Sequence, residues 1–355
     1  MPRHTAIGLD IGTTSVRAAE VSLSRGSVTL ERFGQVPLPA GAVHDGEVMD
    51  PAAVTAALRS LWSKVRFRSK RVVLGVANQR VVVRQVELPW LAESELRESL
   101  PLLVADLVPM PVDQAVLDFV TLAEGTDQAG ARIRTGLLVA VAADMVATSV
   151  EAVIAAGLSP TGVDLTSFAV LRAVSGADHL GLQSRPEVIV DIGADVTNIV
   201  IHEGGVPRFV RILLMGGDDV TEALVERMGM GYSDGEQWKR SLGLAEPPPD
   251  DLDAVAVSRT MSAAAHSLID EIRGSLSYYL ATTGSGPLDR VLVSGGGALL
   301  PGLREALAQV VNAPVEQAGL FAHLKLGRTG LDADQLGFVE PLAVVPVGLA
   351  LGAAS

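Results

Sequence analysis

A chain of 355 residues has room for two units with separate cores, and 48% hydrophobic against 19% charged residues places it among folded globular proteins. Its net charge of −13 argues against a nucleic-acid surface, and with no cysteine it can build neither disulfides nor thiolate metal sites. Aromatics are only 4%, so the cores are aliphatic, which favours α/β layers.

In chain order, residues 5–9 form an apolar run of strand type that stops at Asp10-Ile11-Gly12-Thr13-Thr14, and 16–21 alternates as a second strand. A turn at 24–27 leads to a third strand at 28–33. Asp50-Pro51 reads as a helix start, with Asp as cap and Pro at the first helical position. Val54, Ala57, Leu58, Leu61 and Trp62 then fall on one face. The basic stretch 64–71 reads as a solvated loop in preference to a phosphate or membrane patch, and strands at 72–76 and 81–87 flank a turn at 77–80. From residue 88 the texture changes. An acidic helix carries Leu96, Leu100 and Leu103 with Pro101 inside it, and Pro109-Met110-Pro111 ends it. Strands at 116–122 and 136–142 enclose a polar loop at 124–130, and an alanine-rich helix at 144–157 closes on Gly157.

Residues 161–164 lead into a helix containing Phe168, Val170 and Leu171, and 183–186 is a linker. Beyond it come strands at 188–190, 196–202 and 209–214. Gly216-Gly217-Asp218-Asp219 opens a helix, another contains 235–240, and a proline-rich loop at 246–251 precedes a long helix at 252–281. A strand at 291–293 feeds Ser294-Gly295-Gly296-Gly297, followed by helices at 301–311 and 340–353. The longest apolar run, 341–355, is too short for a bilayer and carries two prolines, and the N-terminus shows no signal peptide. A cytoplasmic protein is expected.

A repeat organises the chain. The apolar strand ending in Asp191-Ile192-Gly193-Ala194-Asp195-Val196-Thr197 echoes the Asp10 stretch 181 positions later. Each copy brings a carboxylate to a strand end, and the glycine lets the backbone double back where a side chain would obstruct it. Exposed amides and hydroxyls of such a turn suit phosphate oxygens, and the Asp suits hydrated magnesium. Two copies imply two related halves closing on one ligand. Gly216-Gly217 offers helix-start amides to an anion or ribose. Three glycines, Gly295-Gly296-Gly297, at a strand end let a flat ring or phosphate lie on backbone. Glu236 and Lys239, three apart, are either a surface ion pair or contacts to the ribose and adenine edge. None of the four lysines is followed by Ser or Thr, so there is no P-loop; no histidine pair has metal spacing and no Gly-x-Ser-x-Gly elbow occurs.

Together these features resemble the actin-like ATPase superfamily, shared by sugar kinases, heat-shock chaperones, actin and the cell-division protein FtsA. The finer resemblance, across essentially the whole chain, is to the PilM family of type IV pilus assembly. It is carried by Gly75-Val76-Ala77-Asn78-Gln79-Arg80 with Arg84 and Glu87-Leu88-Pro89, by Pro109-Met110-Pro111-Val112-Asp113 with Leu117-Asp118-Phe119, by Ala155-Ala156-Gly157-Leu158 with Val163-Asp164, by Asp191-Ile192-Gly193-Ala194 with Thr197, and by Gly235-Glu236-Gln237-Trp238-Lys239.

The resemblance implies a duplicated ribonuclease-H-like α/β fold with ATP and Mg2+ in the cleft. Its parts would be a first-half core at 1–87 and 160–183, an inserted FtsA-type α+β subdomain at 88–159, a second-half core at 184–215 and 282–355, and a helical adenine-side subdomain at 216–281. Asp10 and Asp191 would hold magnesium through water. Gly12, Thr13, Thr14, Gly193, Ala194 and Thr197 would cradle phosphates, and Gly216, Gly217, Glu236, Lys239, Gly295, Gly296 and Gly297 the nucleoside. Asp164 would orient the attacking water or, equally, cap the helix that follows. The implied partner is the N-terminal cytoplasmic peptide of a PilN-like inner-membrane protein, with other pilus assembly proteins beside it. The expected place is peripheral to the membrane through that partner, with no direct insertion, because no basic amphipathic tail follows the last helix. Asp195 adds negative charge near the phosphates, so a slow Mg-dependent ATPase at most is expected. Two alternatives stay open: a sugar-kinase-type phosphotransferase, which needs a base and a polar substrate cluster, and an FtsA-like filament-forming ATPase.

Overall fold

The computed structural model describes residues 4–24, 27–175 and 185–353; the expected turn at 25–26 and the linker residues 183–184 lie outside them. β1 (His4–Ile11), β2 (Ser15–Ser24) and β3 (Ser27–Pro37) form an antiparallel meander. β4 (Val43–His44) and β5 (Glu47–Val48) make a small hairpin whose tip, Asp45-Gly46, has positive φ at both residues. In α1 (Pro51–Val65) the Asp50 carboxylate accepts from the amides of Ala52 and Ala53 at 3.0 Å each, the cap expected from Asp-Pro. β6 (Arg71–Val76) and β7 (Val81–Pro89) follow, then α2 (Glu93–Leu103), β8 (Ala115–Thr126), β9 (Arg132–Ala142), α3 (Ala143–Ala155), β10 (Ser159–Leu165) and α4 (Thr166–Val174).

The second half contains β11 (Glu187–Ile192), β12 (Thr197–Glu203), β13 (Val206–Leu213), α5 (Gly217–Met228), α6 (Tyr232–Leu242), α7 (Leu252–Thr283), β14 (Val291–Ser294), α8 (Leu303–Val310) and β15 (Val315–Gln317). β16 (Lys325–Leu326) returns to pair with β3, and α9 (Ala333–Gly352) closes the fold.

The two main sheets repeat one topology. The first runs β10-β6-β1-β2-β3-β16 and the second β13-β12-β11-β14-β15. In each, an antiparallel three-strand meander is extended by parallel strands beside its first member. α4 and α9 form the layer between the sheets, and their apolar faces share one core with Leu30 of β3, Ile189 of β11 and Val200 of β12. A separate three-stranded sheet, β7-β9-β8, packs its own core against α2.

Three departures from expectation have physical reasons. β10 occupies residues expected only to lead into a helix; as the sheet's edge strand it is mostly exposed, so it shows no apolar alternation. β8 and β9 run into the expected 124–130 loop, because Glu124 faces Arg134 across the ladder at 3.4 Å and Arg132 stacks 4.0 Å over Trp90. α9 starts earlier than expected and contains Pro341 and Pro346. Its segment Asp334–Gly352 is long and apolar enough, by length and composition, to cross a membrane, yet 61% of that window is buried within the protein. It lies against β1, β2, β6 and α4, so its apolarity serves the core.

Candidate functional site

The two Asp-Ile-Gly turns meet between the sheets. The hairpin register of β1 and β2 sets Asp10 opposite Arg17, and that of β11 and β12 sets Asp191 opposite Asn198. These four residues line one cavity of about 70 Å3, together with Gly12, Thr13, Gly193, Ala194, Gly295 and Thr166. A second cavity of about 530 Å3 continues from it. Gly193, Ala194 and Arg17 line both, and beyond them lie Thr14, Gly217, Glu236, Lys239, Gly296 and Gly297.

Three of the expected residues stand elsewhere. The buried Thr197 hydroxyl donates to the Met215 carbonyl at 2.7 Å, which fixes the turn before α5. Gly216 is under the site: its amide donates to Asp219 Oδ2 at 2.6 Å, and a Cβ there would fall on the Ala194 carbonyl. Asp164 lines a third cavity, with its carboxylate accepting from Arg172. It is not a helix cap, since no side chain caps α4.

The electrostatics of the small cavity are those of an incompletely compensated anionic site. Burial pushes the Asp191 carboxyl from its ordinary 3.8 up to about 6; the Ser294 hydroxyl donating at 2.8 Å opposes this, while Asp10 adds repulsion. Burial also raises Asp10, opposed by Arg17, whose Nε lies 3.6 Å from the carboxylate. That Nε has no hydrogen-bond partner although it is buried. Two confronted carboxylates with one guanidinium attract a small hard cation, and oxygen donors suit magnesium.

The larger cavity has its own polar device. Lys239 Nζ donates to the Gly217 carbonyl at 2.9 Å and to Thr221 Oγ1 at 2.7 Å, and it is ion-paired with Glu236. Burial raises the Glu236 carboxyl, but the bonds from Lys239 and Thr221 (2.6 Å) prevail and hold it low. Gly295, at φ +85°, turns the chain where any Cβ would strike the Ile192 carbonyl. Backbone is thus presented where β14 ends. Glycine-lined walls, a charged pair at one end and carboxylates at the other fit a nucleotide with a divalent cation.

Arg17 and Asn198 were not singled out from sequence. Each stands seven residues past its Asp, at equivalent places in the repeat, so aligning the two copies would have exposed them. Thr166 carried no such signal, because its approach depends on the unrecognised β10.

The model of the type IV pilus assembly protein PilM family matches residues 8–354. The chain belongs to the PilM family. Among solved structures, this PilM-family chain is similar to a PilM-PilN type IV pilus biogenesis complex at 26% identity and a TM-score of 0.85, with 100% of each chain covered. It is 23% identical to the cell division protein FtsA of Bacillus subtilis (strain 168), covering 86% of this chain and 76% of that protein. MreB 5 of Spiroplasma citri bound to AMPPNP shares the fold at 13% identity and a TM-score of 0.51, with 97% and 94% covered. The expected actin-like architecture is therefore the observed one.

Proposed function

We propose that this PilM-family chain is an ATP-binding scaffold of type IV pilus assembly whose nucleotide state is coupled to capture of a PilN-like partner's N-terminal cytoplasmic peptide. That partner would bring an otherwise cytoplasmic protein to the membrane. Asp10 and Asp191 would hold Mg2+ through water, the two turns and Arg17 the phosphates, and Gly217, Glu236, Lys239, Gly296 and Gly297 the nucleoside. Magnesium there would neutralise phosphate charge. Asp164, the one expected water-orienting residue, is engaged by Arg172 away from the small cavity. The chain therefore holds ATP more than it hydrolyses it.

The observation that carries the coupling is a shared wall. The third cavity, about 530 Å3, is an apolar groove between β8 and β10, both edge strands of their sheets. An extended peptide suits such a place, through strand addition and aliphatic pockets. The first turn of α4 separates this groove from the phosphate side: Leu165 and Phe168 face the groove, and Thr166 the small cavity. Ser167 Oγ donates to Asn198 Oδ1 at 2.9 Å, and Asn198 lines the small cavity too. An occupant moving Phe168 would displace both, and by linkage each ligand would change the other's affinity equally.

Titration of a PilN N-terminal peptide with and without MgATP tests this. The peptide should bind in both conditions with different affinities, and Val116→Asp, at an exposed groove position, should abolish peptide binding while leaving MgATP binding intact. No binding in either condition, or equal affinities, would overturn the scaffold or the coupling respectively.

A further inference from the structure

The mouth of the cleft is bridged by a constellation outside the Asp10–Asp191 pair. The β4–β5 hairpin of the first half reaches the second-half turn at Asp195. The Asp45 amide donates to Asp195 Oδ2 at 3.3 Å, and His44 Nδ1 lies 3.5 Å from the same oxygen. The Asp45 carboxylate lies 3.6 Å from the other ring nitrogen of His44. Asn78 donates to the Asp45 carbonyl and so fixes the hairpin tip. One donor atom from each of His44, Asp45 and Asp195 falls within 4.8 Å of the other two.

We propose that His44, Asp45 and Asp195 form a second divalent-cation site that ties the two halves together at the cleft mouth. Donor atoms around a tetrahedral metal with bonds of ~2.0–2.1 Å stand about 3.3 Å apart, and the three present, one per residue, lie within 4.8 Å, so the exposed His44 ring must swing in to present one nitrogen to both carboxylates. One imidazole with two carboxylates suits Mn2+ or Zn2+ better than Mg2+. The surroundings demand positive charge. Asp218 repels Asp195, Asp45 repels Asp219, and Glu222 feels Asp195, Asp218 and Asp219 together. Among the described residues none of these five carboxylates is ion-paired with lysine or arginine; the imidazole of His44 lies beside Asp45 and Asp195. A bridging ion would neutralise this rim and hold the hairpin, whose Gly46 and Val48 line the small cavity, against the second half. The inference goes beyond the nucleotide reading and is tested without nucleotide.

The probe is Mn2+ added to the full chain, with bound ions counted by electron paramagnetic resonance and affinity taken from calorimetry. In an Asp10→Asn, Asp191→Asn background, one Mn2+ should still bind. Adding His44→Ala or Asp45→Asn should weaken it at least about tenfold, the lower end of what loss of mere outer-shell partners costs. Asn at 45 keeps the left-handed conformation accessible, and His44 is largely exposed, so neither change should alter folding. Should the double variant misfold, His44→Ala in the native background must lower the bound count by one. No Mn2+ in the double variant, or binding unchanged by His44→Ala, would overturn the site.

Discussion

Asp191→Asn should make the protein more stable while removing its response to MgATP. The folded Asp191 carboxyl titrates at about 6 against an ordinary 3.8. At about 1.4 kcal/mol per pKa unit, the ionised form costs about 3 kcal/mol in the folded state at neutral pH. Asn is nearly isosteric, can still accept from Ser294, and carries no charge. The sign with pH follows from proton counting. Between 3.8 and 6 the folded state binds more protons than the unfolded one, so the native residue's cost is absent at low pH and complete above 6. Urea unfolding without nucleotide should show the variant ahead by about 2–3 kcal/mol at pH 7.5, with the advantage shrinking to near zero by pH 4. MgATP, which should raise the native chain's midpoint by mass action, should leave the variant's unmoved. A variant less stable than the native chain at pH 7.5, or ahead by the same margin at both pH values, would refute the account of Asp191 as a buried, under-compensated carboxylate.

Two further outcomes rest on single residues. His202 is buried with its Nδ1 accepting from the Gly205 amide, and burial, then Arg290, lower it from 6.5 to about 4. The unfolded state binds the extra proton between those values, so this contribution is complete above 6.5 and lost toward 4, about 3 kcal/mol across the window. It opposes the Asp191 slope over nearly the same range, so the two nearly cancel in the native chain and His202→Gln should expose a loss of stability as pH rises from 4 to 6, read by urea midpoints at four pH values. Arg17→Met, which removes the cation shared by both cavities, should weaken MgATP binding at least tenfold by calorimetry, about 1.4 kcal/mol, with Arg17→Lys recovering only part because a point charge replaces a planar fork.

What the sequence disclosed and what it hid divide along lines of local signal. The Asp10 and Asp191 turns were readable because each couples an apolar strand to a glycine turn, and the repeat multiplies that signal. Asp50-Pro51 specified a helix start by chemistry alone. β10 and the β4–β5 hairpin were not readable: one is an exposed edge strand and the other has strands of two residues each, and tertiary neighbours decide both. The same blindness affected function. Asp164 has the motif position of a water-orienting residue, whereas Arg172, eight residues on, engages it on the groove side. Thr197 matched the pattern of a phosphate ligand, yet the Met215 carbonyl takes its hydroxyl.

The position of α9 has a consequence for how the chain is made. The face of the first sheet formed by β1, β2 and β6 comes from residues before 77, but its cover comes from 333–352. During synthesis most of that aliphatic face waits for its cover, with α4 reaching only part of it, while some 250 intervening residues are added, on the order of tens of seconds at ~5–20 residues per second. The first half cannot complete its core ahead of the second, so the two lobes mature together.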